Sequence, residues 1–485
     1  MTHRFAYLTA AAALAATTFV TPDADACGGC FIVPTENTVV TGHRMAVSIS
    51  PDRSILWDQI QYSGNASDFS WVLPVKQGAV IEVASDAFFD VLEAATQASV
   101  SPPPEGCAQT NANNSGLGCG ADDAVAFDGS RSESGANGGV QVVHEGTVGP
   151  YETVTLRATE PNALRDWLDD NGYALPDDVA PIVDAYVEEE FDFIALKLSP
   201  NQGVQQMQPV RIVSPGSSVA LPLRMVAAGA GATVDLVLYV IGEGRYEARD
   251  YDNVAIDPGL VTWDFRSDTT DYSEQRLRAL EGNEGRTWLT AYSRTGTLLS
   301  QAGGGLQVGN GFANSIGEGY FLQGESLGEV SRGALTDCLQ KLQALQGSMD
   351  VVVDTCDPET ETCGEAGAGE IDARELACGD LDDLARAMVG LHPADVTLTR
   401  MEAALPREAL DGDLILEAGP NQDPVFNNLT AGLKANACWD SEPAAAPTLL
   451  NPGTGPKLPP GAMLAIVLGA AGVLLVGRRG VRATA

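Results

Sequence analysis

Short runs in which apolar and polar residues alternate recur along most of the first half of the chain. Turn-forming pairs such as Pro51-Asp52 and Gln77-Gly78 separate these runs, and this combination is typical of β-strands. The nearly all-apolar run 233–241 predicts a central strand. Strands are predicted at 45–49, 55–62, 69–75, 79–83, 140–143, 152–158, 191–198, 210–213, 219–223, 233–241, 396–403 and 413–417.

Apolar residues three and four positions apart predict helices between and after these strands. Ser85 is a suitable N-cap for a helix that begins at Asp86 and places Phe88, Val91 and Leu92 on one face. The predicted fold class is α+β and β-rich, with two lobes and a single C-terminal transmembrane helix. The remaining helices are predicted at 159–171, 179–186, 273–281, 333–346 and 380–391, whereas 320–323 is strand-like.

The first 26 residues have the features of a secretory signal peptide. A short polar start precedes the Ala-rich apolar run 5–20, and the small residues Ala24 and Ala26 form a cleavage site before Cys27. Retention of this segment as a membrane anchor and lipidation of Cys27 are the alternatives. We therefore expect the protein to be exported.

The C-terminal end of the chain carries a second targeting segment. Residues 461–477 are uncharged and mostly apolar, and Arg478 and Arg479 follow at once. This pattern favours a membrane-spanning helix with a cytoplasmic basic tail over a buried core helix. The Pro/Ala-rich stretch before it, 441–460, is predicted to be an extended spacer.

These features divide the chain into segments with different roles. We expect the part of the chain between the signal peptide and the transmembrane helix to lie outside the cytoplasm as an ectodomain. The predicted segments are the signal peptide 1–26, a strand-rich N-terminal lobe 27–260 with a flexible insertion 101–139, a mixed α+β C-terminal lobe 261–440, the spacer 441–460, the transmembrane helix 461–477 and the tail 478–485.

Charge narrows the choice of partners. The 485 residues include 65 acidic and 28 basic side chains, a formal net charge of −37. Such a surface repels phosphate backbones, so no nucleic-acid partner is expected. The membrane, reached through the C-terminal helix, and proteins of the cell envelope remain as partners. The chain has only four histidines, which are few for a metal site or a general base that uses imidazole, and no cofactor or metal site is predicted.

All nine cysteines lie between the two terminal segments, which indicates an oxidising compartment. Two pairs bracket loops that have few apolar residues of their own, so cross-links would hold these loops. Cys27 and Cys30 have thioredoxin spacing but no preceding strand, which favours a structural pair over a redox site. The disulfide candidates are Cys107 with Cys119 and Cys356 with Cys363. The pairing of Cys27, Cys30, Cys338, Cys378 and Cys438 stays open.

Four short sequence motifs occur in order along the chain. They are Ala26-Cys27-Gly28-Gly29-Cys30-Phe31, Asp68-Phe69-Ser70-Trp71-Val72-Leu73-Pro74-Val75, Val148-Gly149-Pro150-Tyr151-Glu152 and Leu398-Thr399-Arg400-Met401-Glu402-Ala403-Ala404-Leu405-Pro406. This ordered set resembles a bacterial family called domain of unknown function 2330, and the resemblance extends over roughly 27–438. It implies an exported protein, often with a C-terminal membrane span, and it supplies no activity, ligand or catalytic residue.

One catalytic string is present. Residues 324–328 match the G-x-S-x-G nucleophile elbow around Ser326, and His392 follows downstream. Asp350, Asp354 or Asp372 is available as the third member of a triad. The elbow requires a tight strand-to-helix turn, and the alternating strands and helices of a hydrolase are missing, so catalysis here is an alternative and not the favoured interpretation.

The acidic loop 354–361 offers a different chemistry. Asp354, Asp357, Glu359 and Glu361 supply oxygen ligands of the kind that Ca²⁺ prefers, but the loop lacks the spacing of a known calcium motif. A solvated charged loop closed by Cys356 and Cys363 is the favoured interpretation.

Three function classes follow from these features. The favoured class is a non-catalytic, membrane-anchored surface or envelope interaction module. Export, cross-linked loops, a spacer and an anchor are the features of a protein that holds its folded part outside the cell membrane. We therefore predict that the protein is not an enzyme. The alternatives are a serine hydrolase that uses Ser326 and His392, and a calcium-dependent adhesin that uses loop 354–361.

Overall fold

Strands dominate the structure, so the prediction of a β-rich α+β fold is confirmed. The computed structural model describes residues 30–32, 39–63, 69–104, 140–173, 179–200, 207–227, 232–300, 305–357 and 362–434. The predicted signal peptide, most of the insertion 101–139, the spacer, the transmembrane helix and the tail lie outside these residues. Among the described helices, none is long and apolar enough to cross a membrane.

Short strands and short helices alternate irregularly along the described chain. The strands are β1 (Cys30–Ile32), β2 (Val39–Ile49), β3 (Arg53–Ser63), β4 (Phe69–Val75), β5 (Val80–Val83), β6 (Ser99–Ser101), β7 (Val140–Val148), β8 (Tyr151–Ala158), β9 (Asp192–Leu198), β10 (Val210–Pro215), β11 (Ala220–Leu221), β12 (Thr233–Glu243), β13 (Tyr246–Ala248), β14 (Asp252–Val254), β15 (Thr262–Asp264), β16 (Thr269–Thr270), β17 (Thr287–Thr295), β18 (Leu306–Val308), β19 (Gly311–Ala313), β20 (Val351–Val353), β21 (Cys356–Asp357), β22 (Thr362–Cys363), β23 (Glu370–Asp372), β24 (Val396–Pro406), β25 (Leu414–Ala418), β26 (Asn428–Thr430) and β27 (Gly432–Leu433). The α-helices are α1 (Asp86–Thr96), α2 (Pro161–Asp170), α3 (Ala180–Glu188), α4 (Leu223–Ala227), α5 (Tyr272–Leu280), α6 (Ile316–Ser326), α7 (Arg332–Leu345) and α8 (Asp383–Met388).

An eight-stranded mixed sheet runs in the order β14-β17-β24-β12-β2-β3-β10-β5. β12 lies near its centre, between the parallel β2 and the antiparallel β24, which confirms the prediction of a central strand there. A second sheet, β1-β4-β9-β8-β7, is antiparallel throughout.

Alternation along the strands sends successive side chains into two different cores. One core lies between the two sheets, where Met45 and Leu238 of the larger sheet meet Leu73 and Leu196 of the smaller. The opposite face of the larger sheet packs on α1, α6, α7 and α8. The opposite face of the smaller sheet packs on α2 and α3. The described fold is thus built from helix, sheet, sheet and helix layers.

The predicted boundary between two lobes at 260/261 differs from the structure. Strands from both sides of this position form the larger sheet, since β17 and β24 lie beside β14 and β12. The described residues through Lys434 belong to one compact unit. Local composition changes near 260, but the sheet pairs strands that are far apart in sequence.

Several predicted elements need correction. The strand-like 320–323 lies inside helix α6, and 219–223 divides into the short β11 and the start of α4. Strand β17 is absent from the predicted elements, and the helix predicted at 380–391 is reduced to α8. In each case tertiary packing overrides a weak local pattern.

Candidate functional site

Ser326 does not occupy a nucleophile elbow. It is the last residue of helix α6, and Gly324 lies two positions earlier inside the same helix. A strand-to-helix turn would raise the serine above a sheet edge with backbone N–H groups beside it. Ser326 is exposed at a helix C-terminus, where carbonyl oxygens are the free backbone groups. The motif therefore arises here from a Gly-rich helix end.

His392 and the candidate acids have other partners. Nδ1 of His392 is 2.8 Å from the carbonyl oxygen of Met349. Asp372 accepts hydrogen bonds from Arg374 and Thr355, and Arg374 holds the pKa of that carboxyl at about 2. The hydrogen bonds and ion pairs of these described residues join neither Ser326 to His392 nor His392 to an acid.

The acidic loop is described only in part, since 358–361 lie outside the described residues. Asp354 pairs with two arginines, at 3.4 Å from Nη1 of Arg53 and 3.2 Å from Nη1 of Arg386. Within the part of the chain that the structure covers, no three acidic, histidine or cysteine residues are grouped as metal ligands. Asp354 therefore balances arginine charge.

Two disulfides fix the region of this loop. Cys356 and Cys363 are bonded, which confirms that predicted pair and joins the hairpin of β21 and β22. Cys338 of α7 is bonded to Cys378, a pairing that the sequence leaves open. Cys107 and Cys119 lie outside the described residues.

We expect the two disulfides to differ in their contribution to stability. Removing Cys338–Cys378 with paired alanine substitutions should lower the free energy of unfolding by about 3–4 kcal/mol, because the bond closes a loop with a sequence separation of 40. Removing Cys356–Cys363, with a separation of 7, should cost about 2 kcal/mol. Urea unfolding of the two double variants measures both values. Equal losses would contradict the loop-length argument.

A buried carboxylate ties the helical layer to the larger sheet. Asp383, at the start of α8, is 1% exposed. Its Oδ1 accepts hydrogen bonds from Nε1 of Trp57 and Nη1 of Arg211, both at 2.8 Å. Its Oδ2 accepts from the Ser85 backbone N–H at 3.0 Å and from the Tyr320 hydroxyl at 2.9 Å. Groups from four separate segments thus converge on one side chain.

The groups around Asp383 use all of its hydrogen-bond acceptor positions. Burial, and next the Asp383 carboxylate, raise the pKa of Tyr320 well above its ordinary value, so the phenol stays protonated and donates. Arg211 also pairs with Glu82 and Asp382. Every lone-pair direction of the carboxylate is therefore used within the fold, and this cluster is structural.

A polar cavity of about 250 Å³ lies beside β3 and next to Met207 and Gln208, which come just before β10 in the chain. Asp58 and Asp86 are its acidic wall residues, and Trp71 also lines it. The Asp58 carboxylate is 2.9 Å from Nδ1 of the buried His43. Burial raises the pKa of Asp86, and the nearby Asp90 adds to the shift, although a hydrogen bond from Gln59 opposes it. The charge of this wall disfavours anions.

A second cleft, of about 210 Å³, has the opposite character, and we call it the Arg294 cleft. It lies where the end of α1, β17, β18 and the segment before β26 meet. The Ser293 N–H donates to the Val425 carbonyl at 2.9 Å, which places this last segment against β17. The residues that line it are Ala94, Ala95, Gln97, Ser99, Tyr292, Arg294, Gly305, Leu306, Gln307, Asn427 and Asn428.

The guanidinium of Arg294 has no anionic partner among the described residues. Fifteen other described arginines make ion pairs, and Arg266 and Arg407 also have interaction partners. Within the described ranges, the Arg294 side chain forms no hydrogen bond or ion pair. Its Cζ lies 5.2 Å from the ring centre of Phe426, which is a cation–π contact.

Residues 21–296, more than half of the chain, match a family described as an uncharacterized protein conserved in bacteria, domain of unknown function 2330. The chain belongs to this family. The family resemblance seen in the sequence is thereby confirmed, although the match ends before the phrase at 398–406. No curated protein and no solved structure matches the chain.

The part of the chain that matches domain of unknown function 2330 does not complete the fold by itself. β24 lies after the match and between β12 and β17, which lie within it. The Arg294 cleft likewise combines residues from both parts, because Arg294 precedes position 296 and Asn427 follows it.

Sequence reasoning missed the Arg294 cleft altogether. Its residues come from four separated segments, so no spacing motif marks them. The β-branched and aromatic residues of 287–295 are a usable signal for β17 and would place Arg294 near the end of a strand.

Proposed function

We propose that this protein is an exported, membrane-anchored interaction module of the bacterial envelope and that it binds without catalysing a reaction. The observation that carries the proposal is the pair of disulfides, Cys338–Cys378 and Cys356–Cys363, in its described part. Disulfides persist in oxidising compartments and are rare in the cytosol. The two disulfides and the predicted signal peptide 1–26 therefore both support export.

The placement of the candidate catalytic groups favours binding over hydrolysis. Ser326 ends a helix, and Nδ1 of His392 is close to a backbone carbonyl. The Arg294 cleft, by contrast, has a cation available to a ligand. Predicted segments 1–26 and 461–477 support export and anchoring.

The compartment is tested by the thiol state in intact cells. We expect Cys338 and Cys378 to resist a polyethylene-glycol maleimide after acid quenching, and to react once the sample is reduced. A variant without residues 2–26 should stay in the cytosol and react without reduction. Full reactivity of the wild type, in cells whose known exported disulfide proteins are protected, would contradict export.

The serine hydrolase alternative is tested separately with a serine-reactive fluorophosphonate. We expect no labelling of the purified full chain at Ser326. Labelling that disappears in Ser326→Ala and persists in Ser300→Ala, an exposed control, would replace the proposal with a hydrolase.

A further inference from the structure

We infer that the Arg294 cleft binds the carboxylate of a small ligand whose body is apolar or aromatic. The inference rests on the proposed function, because it names the ligand class of a binding module. Free aromatic acids and the C-terminal residue of a peptide chain share this chemistry.

The charge of the cleft selects an anion. The chain as a whole carries −37, yet the lining contains one arginine and no aspartate or glutamate among the described residues. A guanidinium binds a carboxylate through two parallel N–H···O bonds and stacks on an aromatic face at the same time. Arg294 already stacks on Phe426, and its hydrogen-bond donors are unused within the described structure.

The neutral groups of the cleft supply further polar contacts. Asn427 is partly committed, because its Nδ2 donates to the carbonyls of Ala95 at 2.9 Å and Gln97 at 3.0 Å and so ends α1. The side chains of Gln97, Gln307 and Asn428 complete a wall of neutral polar residues. A ligand thus meets one fixed charge and several neutral partners, which is the usual balance of a specific small-molecule site.

Two exposed aromatic side chains lie against lining residues. Phe426, in contact with Arg294, is 52% exposed, and Phe312, on β19, is 64% exposed. The Phe312 ring occupies the space that a Cβ at Gly305 would need, so it lies directly against the lining. Leaving large apolar surfaces in water is unfavourable, and an apolar ligand body would cover them.

Size and long-range charge favour a monoanion. A volume of about 210 Å³ is smaller than that of most drug-sized sites, so one amino-acid residue or one aromatic acid is a suitable occupant. The negative field of the protein opposes a dianion more strongly than a single carboxylate. We therefore choose N-acetyl-L-phenylalanine as the probe and its uncharged primary amide as the matched comparison.

Calorimetric titration of the purified full-length chain at low salt tests the inference. We expect the acid to bind at least about tenfold more tightly than the amide, and added salt to weaken the acid alone. Arg294→Gln should abolish this preference. Arg278→Gln should retain it, because it removes the same charge from an exposed helical ion pair elsewhere. Phe426→Ala should weaken both ligands.

Equal binding of acid and amide, no binding of either, or an acid preference that survives Arg294→Gln would overturn the inference. A tripeptide ending in phenylalanine, free or amidated, separates the two ligand sources. Binding of the free tripeptide supports a chain terminus, and binding of the acid alone supports a small free acid. The thiol-labelling test of export does not depend on these titrations, so the two failures are distinguishable.

Discussion

A chain that ends at residue 296 should not fold, whereas one that ends at 434 should. β24 pairs with β12 over 233–243 and with β17 over 289–295, so its removal divides the larger sheet in two. The buried Leu398, Met401 and Leu405 would also be lost from the cores on its two faces. Helices α6, α7 and α8, which cover one face, are removed as well.

The comparison requires two chains, 1–296 and 1–434, expressed with the same signal into an oxidising compartment. We expect cooperative urea unfolding and protease resistance from the longer chain alone. The shorter chain should be insoluble or rapidly degraded, because unpaired strand edges and exposed apolar faces promote aggregation. A cooperative transition in the shorter chain would show that the family-matched part is a folding unit and would contradict this expectation.

Replacing Asp383 with alanine should lower the free energy of unfolding by about 5 kcal/mol, the upper part of the range for breaking a buried ion pair. The substitution removes the acceptor for Trp57, Tyr320 and the Ser85 N–H, and it removes one of the carboxylates paired with Arg211. Buried donors left without acceptors each add a penalty. The midpoint and slope of urea unfolding measure the loss.

Asp382→Ala is the matched control for this variant. Asp382 pairs with the same arginine but is 28% exposed, so water can replace it and the loss should be about 1 kcal/mol. Equal losses for the two variants would mean that the charge balance of Arg211, and not the buried hydrogen bonds of Asp383, sets the stability.

Helices α1 and α6 show what the sequence could and could not predict. α1 has an amphipathic stripe and a side-chain cap, since the Ser85 hydroxyl accepts from the Ala87 N–H at 3.0 Å. α6 contains several glycines, so its local sequence is a poor predictor of a helix. Glycine is required at positions 319 and 324 because the side chains of Val91 and Leu381 occupy the space that a Cβ would need there. Such close packing is visible only after folding.

The same reasoning applies to the disulfides and the cleft. Cys356 and Cys363 bracket a short loop, so local sequence is sufficient to predict their bond. Cys338 and Cys378 meet because α7 packs on the segment 373–376, and no local pattern encodes that contact. The free charge of Arg294 follows from the placement of every acidic side chain around it, which depends on the whole fold.

The order of strands in the larger sheet also governs how the chain can fold. β2 pairs with β12, and β12 pairs with β24, so neighbouring strands are separated by long stretches of sequence. Sheets built from such distant pairings fold slowly, because a long loop must close before each contact forms. A chain exported from its N-terminus would have to remain open until β24 had crossed the membrane. Under the proposed export, the early strands would depend on chaperones during transit, and the rate of secretion would then help to determine yield.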